Sequence, residues 1–291
     1  MQITPYSLTS YLTAQILTGE TWQGPWTGSG TGFTFIFEKG TNQAPVMITN
    51  KHVLAGAEMI GLCVRKGDEN GTPIPGPGEN VTLHVSNFKI IEHPDPQVDL
   101  AAITLLPVAK VINEKLGWNP CFMGLSQSDV PTESQWTEFS ALEEVTMVGY
   151  PTGIADSYNN LPITRRGVTA TPPGFDYMGN AEFLIDMAVF PGSSGSPVLI
   201  LNQGAYPVAD GINFGNRVHL LGVLYAGHYQ TVTGEIITKP IPTANVPFTE
   251  IQQMIHLGIC AKSSRILELA DEIPGWSDIP AEVATIGGTL E

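Results

Sequence analysis

Cationic side chains are scarce in this sequence. It has 13 Lys and Arg residues against 28 Asp and Glu residues in a chain of 291, which gives a formal net charge of −15. A protein with this charge repels nucleic acids and anionic lipid surfaces at long range. We therefore expect no nucleic-acid or membrane partner, and a polypeptide is the partner that the composition favours.

Cysteines and long apolar runs are also few. The three cysteines, Cys63, Cys121 and Cys260, are odd in number, widely spaced and without any CxxC or Cys/His grouping. This usage disfavours structural disulfides and a zinc site, and we expect neither a metal nor a cofactor. No basic leader with an apolar core opens the sequence and no run reaches membrane-spanning length, so we expect a cytoplasmic protein.

Glycine and proline, in contrast, are abundant, with 31 and 23 residues. They separate many short apolar segments, which predicts an all-β fold, and all-β chains of this length often form one unit. Residues 248–255 (FTEIQQMI) differ, because their apolar residues recur at helical spacing and predict a C-terminal helix. The segment 271–291 has five acidic residues and no Lys or Arg, which predicts an extended acidic tail.

Residues 190–197 (FPGSSGSP) form a glycine-rich run between two strand-like segments. Such a run is often an ordinary polar turn, but it can also present a serine hydroxyl beside outward-facing backbone N–H groups. Of its three serines, Ser194 has a glycine directly after it and another two residues before it. The amides of Gly192 and Ser194 could therefore converge on one oxyanion, which favours Ser194 over Ser193 and Ser196 as a nucleophile.

A serine nucleophile needs a base and a group that orients the base, and both have candidates upstream. The apolar segment 46–54 (VMITNKHVL) predicts a strand that runs into His52. His84 and His93 are the alternatives, and either could be a surface side chain. Asp99 begins the apolar run 99–103, where it can be buried against an imidazole, whereas Asp95 lies between two prolines in a loop.

These runs resemble the motifs of the chymotrypsin-like (trypsin-fold) serine peptidases, and most closely a bacterial branch with the HtrA and glutamyl-endopeptidase types. ITNKHV at 48–53, DLA at 99–101 and GSSGSP at 192–197 are similar to its histidine, aspartate and serine motifs, and GSGTGF at 28–33 is similar to an early strand. The resemblance implies two six-stranded antiparallel β-barrels with a C-terminal helix. We place the peptidase unit at residues 1–270, with barrels over about 8–110 and 140–245, the helix over about 247–269 and the acidic tail at 271–291.

The resemblance also implies an activity, that of a serine endopeptidase working through an acyl-enzyme intermediate. His52 would take the proton of Ser194, and Asp99 would orient the imidazolium. The N–H groups of Gly192 and Ser194 would bind the oxyanion.

The same comparison places a substrate pocket at Ala188, Leu224, Tyr225, Ala226 and Gly227. Ala188 stands where trypsin-like members carry the aspartate that selects basic side chains. Leu224 stands where glutamyl-specific relatives carry a histidine. Both changes predict an uncharged side chain at P1, the residue before the cleaved bond.

Ser193 departs from the pattern of the animal digestive enzymes, which carry there an aspartate that pairs with a newly cut N-terminus. Activation by N-terminal cleavage should therefore not apply, and the oxyanion loop must be held by other contacts or ordered by an activating protein partner. A catalytically quiet peptide- or protein-binding module on the same fold stays open as an alternative. An α/β-hydrolase is disfavoured, because its serine lies in GxSxG and its histidine follows the serine. A phosphate-binding loop at 28–32 is disfavoured because no lysine and no helix follow it.

Overall fold

The computed structural model describes residues 4–22, 25–69, 71–208, 211–235 and 248–276. The strands of the first half are β1 (Thr13–Gly19), β2 (Gly28–Lys39), β3 (Asn42–Thr49), β4 (Met59–Val64), β5 (Lys66–Gly67), β6 (Glu79–His84), β7 (Ile90–Glu92), β8 (Ala101–Thr104), β9 (Asn119–Pro120) and β10 (Leu125–Ser126). Those of the second half are β11 (Glu144–Gly149), β12 (Ile163–Thr169), β13 (Glu182–Asp186), β14 (Pro197–Asn202), β15 (Ala205–Val208), β16 (Gly211–Phe214), β17 (Arg217–Glu235) and β18 (Phe248–Lys262). The helices are α1 (Pro5–Leu8), α2 (Lys51–Leu54), α3 (Leu105–Leu116), α4 (Glu133–Glu138) and α5 (Ser264–Leu267). The fold is thus mostly β, as predicted.

The first half is one open sheet and not the closed barrel that we predicted. Its strand order is β6-β4-β1-β2-β3-β8-β7, and β10 pairs with β2. The edge strands β6 and β7 are consecutive in the chain and are joined through a single 3-10 turn at Val85–Asn87. At this turn the backbone leaves the hydrogen-bonding pattern of the sheet, and β6 and β7 do not pair with each other among the described residues.

The second half is a closed six-stranded barrel, which confirms the prediction for that half. Its strands follow the order β11-β12-β13-β18-β17-β14 around the barrel, and every pair is antiparallel. Closure means that each of the six strands has a paired neighbour on both sides.

The predicted C-terminal helix at 247–269 is wrong. Residues 248–262 form β18, which pairs with β17 on one side and with β13 on the other. The helical spacing of the apolar residues is overridden because β18 supplies the ladder partner that both neighbours need to close the barrel. The helix that follows, α5, is only four residues long. Of the predicted acidic tail, residues 277–291 lie outside the described part of the chain.

A shared core joins the two halves. Phe33 and Phe35 of β2 belong to the same buried cluster as Leu199 of β14, Val223 of β17 and Leu269. A side chain of this kind contributes about 1.5–3 kcal/mol when it is fully buried. This core holds together the end of β3, which leads to His52, and the start of β14, which follows Ser194. Among the residues that the structure describes, no helix is both long enough and apolar enough to cross a membrane.

Candidate active site

A cavity of about 350 Å³ lies between the two halves and contains the three residues singled out in the sequence. His52, Asp99 and Ser194 all contribute to its lining. Segment 189–191 forms one further wall, and segment 224–227 forms the other. The structure therefore brings together side chains that are far apart in the sequence.

His52 is placed by one helical turn and not by the end of a strand. β3 ends at Thr49, and His52 is the second residue of α2. Asn50, fully buried between the two elements, donates from its side chain to the carbonyl of Asp99 at 2.7 Å. Sequence reasoning missed this role of Asn50, although an amide side chain within an apolar segment is itself a signal, because a buried amide needs a partner.

Asp99 holds both the ring and the backbone of His52. Its Oδ2 lies 2.5 Å from His52 Nδ1, and its Oδ1 accepts the His52 backbone N–H at 3.1 Å. Burial raises the pKa of Asp99, but the hydrogen bonds from the His52 ring and backbone lower it more, so that pKa lies below its usual value. Because Nδ1 faces the carboxylate, Nε2 is the ring nitrogen left for other chemistry.

The alternative histidines and aspartate have other partners. Asp95 pairs with Arg265 at 2.9 Å. His93 is fully buried and lies 3.4 Å from Glu268, while His84 bonds to a neighbouring serine hydroxyl. None of these alternatives lines the cavity with Ser194.

The three serines of the glycine-rich run differ in exposure. Ser193 and Ser196 are completely buried, whereas Ser194 is half-buried and faces the cavity. Gly192 and Gly195 have φ of 84° and 85°, in the left-handed region that favours glycine. A Cβ at position 195 would also collide with the carbonyl of Thr31. Both glycines are therefore required by the shape of this loop.

Thr31, on β2 of the first half, clamps the serine loop. Its N–H donates to the carbonyl of Ser194 at 2.8 Å, and its hydroxyl donates to the carbonyl of Gly192 at 2.9 Å. The same hydroxyl accepts the backbone N–H of Tyr150 at 3.1 Å. Sequence reasoning did not identify Thr31 as a site residue, because these contacts join strands that are more than 100 positions apart in the chain.

Two backbone N–H groups of the loop, those of Gly192 and Ser194, have no backbone acceptor among the described residues. The carbonyl of Pro191 accepts from the N–H of Thr152, and that of Ser193 accepts from the N–H of Ser196. In a planar trans peptide the N–H points opposite to the carbonyl, so the amides of Gly192 and Ser194 point away from these partners. Within the described residues, neither amide donates to another backbone carbonyl.

The walls of the cavity are largely apolar. Leu224, Tyr225, Ala226 and Gly227 line it as predicted, and β17 is tied to the serine loop by the bond from Gly195 N–H to the carbonyl of Leu224 at 2.8 Å. The Tyr225 hydroxyl donates to Glu182 at 2.7 Å. Burial, followed by this hydrogen bond, raises the pKa of Tyr225.

Ala188 is the one predicted pocket residue that does not line the cavity. The lining begins at its neighbour Val189 and continues through Phe190 and Pro191. Among the described residues that line this cavity, His52, Asp99 and Tyr225 are the ones with titratable side chains. The cavity thus combines an oriented imidazole, a serine and an apolar wall, whereas Gly192, the other residue predicted to bind the oxyanion, is buried behind Pro191 and Ser194 and does not line it.

Comparisons with known proteins match this chain to a family model and to solved structures. The family model described as a trypsin-like peptidase domain matches residues 30–206. A crystal structure of the Rv3671c protease in an inactive form is similar to this chain at 14% sequence identity and a TM-score of 0.44. The match spans 92% of this chain and 91% of the Rv3671c chain. A structure of the HtrA-type protease AlgW with a tripeptide is similar at 15% sequence identity and a TM-score of 0.49. The match spans 92% of this chain and 62% of the AlgW chain. No curated protein sequence matches this chain.

Proposed function

We propose that this chain, which belongs to the trypsin-like peptidase family, is a serine endopeptidase that cleaves polypeptides through an acyl-enzyme intermediate. The observation that carries the proposal is the cavity that Ser194 lines together with an imidazole oriented by a carboxylate. A serine hydroxyl is a weak nucleophile without such a base, and a binding module needs no oriented imidazole beside a serine.

In the first half of the reaction the Ser194 hydroxyl attacks the peptide carbonyl, and its proton passes to Nε2 of His52. Asp99 stabilises the imidazolium and stays ionised, in keeping with its lowered pKa. The carbonyl oxygen becomes an oxyanion, which the N–H groups of Gly192 and Ser194 bind. The imidazolium then gives its proton to the leaving amine, and the C–N bond breaks.

In the second half a water molecule attacks the acyl-enzyme, with His52 as the base that takes its proton. The second oxyanion collapses, the ester bond to Ser194 breaks, and the proton returns to the serine. Neither half of this reaction requires a metal or a cofactor.

The apolar wall supports an uncharged P1 side chain. Leu224, Ala226 and Gly227 line the cavity, and none of them has a side chain that could pair with a charged group. Burying an unpaired Arg, Lys or Glu side chain against such a wall is unfavourable. We therefore infer that cleavage follows apolar or small residues.

Labelling with a fluorophosphonate, followed by peptide mapping, tests the proposal directly. The probe should attach to Ser194 in the unmodified protein and not in Ser194→Ala. Ser196→Ala is a matched control, because Ser196 is buried two residues away and its hydroxyl has no hydrogen-bond partner. An unmodified protein that neither takes up the probe nor hydrolyses a peptide library would contradict the proposed activity and favour the binding module.

A further inference from the structure

Behind the serine loop lies a guanidinium group that the proposed mechanism does not use. Arg165, on β12, donates from Nη1 to the carbonyl of Ala188 at 2.7 Å and from Nη2 to the hydroxyl of Ser193 at 3.1 Å. One side chain therefore holds the start of the loop and the residue directly before Ser194. The buried side chain of Ser193 faces this guanidinium and not the cavity.

Arg165 is an unusual cation, because nothing negative balances it. Within the described part of the chain, no carboxylate lies at ion-pair distance from it. Its Nε is buried without a hydrogen-bond partner. Burial lowers the pKa of Arg165 to about 10. An unpaired cation in such a place is unfavourable for stability compared with an apolar side chain of similar length.

The adjacent Arg166 shows the ordinary alternative. It is 61% exposed and pairs with Glu144 at 2.8 Å on the other face of β12. The two arginines therefore share a strand and a charge, but only Arg165 is turned inward to the serine loop. This contrast indicates that Arg165 is turned inward to hold the loop, through its bonds to Ala188 and Ser193.

We propose that Arg165 is a positioning residue that keeps the oxyanion-binding amides of Gly192 and Ser194 in place. Its bond to Ser193 fixes that side chain, and the Ser193 carbonyl and the Ser194 N–H belong to the same peptide group. Its bond to Ala188 fixes the start of the loop that carries the Gly192 N–H. An internal guanidinium with a neutral acceptor thus does the work that an aspartate and a new N-terminus do in the digestive enzymes. The catalytic consequence rests on the proposed function, whereas the effect on the loop does not.

The effect on the loop can be measured without activity. In the Ser194→Ala background, Arg165→Met should raise the amide hydrogen-exchange rate of residues 188–196 by at least about tenfold. Arg166→Met is the matched control and should leave that rate unchanged. Equal exchange in the two variants would overturn the proposal.

Activity then tests the consequence. In the otherwise unmodified protein, Arg165→Met should lower kcat by about 10²-fold, the scale of losing one oxyanion donor, with KM changed much less. Global stability should fall only slightly, because the loss of the bonds to Ala188 and Ser193 is partly offset by the removal of an unpaired, half-buried cation. Arg165→Lys, which keeps the charge, should recover part of kcat. A loss of kcat that only follows a loss of stability, with no recovery in the lysine variant, would show a merely structural role and overturn the proposal.

A double-mutant cycle at Ser193 and Arg165 tests the contact between these two side chains. Ser193→Asp should keep kcat within about tenfold of the unmodified protein, because Arg165 can pair with the new carboxylate. The same change in Arg165→Met buries a carboxylate without a partner, so the double variant should be far worse than the two single effects combined. Additive effects would contradict the proposed contact. If the unmodified protein hydrolyses nothing, the proposed function fails, and the exchange experiment still decides whether Arg165 orders the loop.

Discussion

The acid–base pair and the nucleophile come from different halves of the molecule and are held by different kinds of contact. His52, on α2, and Asp99, just before β8, both belong to the first half, and the Asp99 carboxylate bonds directly to the ring and the backbone of His52. Ser194 lies on a loop of the closed barrel, and that loop is held by backbone groups, by Thr31 of the other half and by Arg165.

This difference indicates where each part is vulnerable. The His52–Asp99 pair is local, so its geometry should survive small changes elsewhere. The serine loop depends on contacts that reach across the molecule, so distant substitutions can misplace its amides while the nucleophile itself remains. The predictions below separate these two kinds of damage.

Removing the nucleophile or the base should have the largest effect. Ser194→Ala and His52→Ala should each lower kcat by about 10⁶-fold, and the double variant should be little worse, because the serine is activated only through the histidine. Peptide hydrolysis measured under single-turnover conditions checks this. Ser196→Ala should stay close to the unmodified protein, and multiplicative losses in the double variant would show that the two residues do not act as a unit.

Breaking the pair while keeping its shape should cost less. Asp99→Asn keeps a side chain of the same size but favours the wrong imidazole tautomer, so kcat should fall by about 10⁴-fold. Asp95→Asn is the control, because Asp95 pairs with Arg265 outside the cavity. An Asp99→Asn protein with normal turnover would remove Asp99 from the mechanism.

The three proposed catalytic residues could be predicted from sequence because each lies in a short local motif. Asn50, Thr31 and Arg165 could not be assigned their roles, because their partners are set by strand pairing and loop packing between distant segments. The helix predicted at 247–269 failed for the same reason. The helical spacing of residues 248–255 describes a short segment alone, whereas β18 is defined by the two strands that it joins. The closed barrel was predictable as a class of fold, but the open edge of the first sheet depends on one turn at Val85–Asn87.

Loosening the clamp across the two halves should have an intermediate effect. Thr31→Val keeps the side-chain shape but removes the hydroxyl that donates to the Gly192 carbonyl and accepts from the Tyr150 N–H. Leaving two buried backbone groups unpaired should lower the free energy of unfolding by about 1–3 kcal/mol. We expect kcat to fall by roughly tenfold as the Gly192 amide shifts, less than for complete loss of an oxyanion donor.

Urea unfolding and steady-state kinetics check both effects of Thr31→Val. Thr34→Val is a suitable control, because Thr34 lies on the same strand and is 4% exposed. If both valine variants behave alike, the Thr31 hydroxyl does not hold the loop.

The smallest effect should be a change of substrate preference by substitution at Leu224, which leaves the catalytic groups in place. Leu224→His introduces a side chain that can donate to a carboxylate where the wall is now apolar, so cleavage after Glu should rise severalfold relative to cleavage after apolar residues. The new imidazole is buried, so its effect should strengthen below neutral pH, where a histidine beside a carboxylate is protonated. Leu224→Met controls for altered packing, and a peptide library read by mass spectrometry gives the P1 profile of each protein. A profile dominated by Arg, Lys or Glu in the unmodified protein would contradict the apolar pocket, and an unchanged profile in Leu224→His would remove Leu224 from the part of the wall that contacts the P1 side chain.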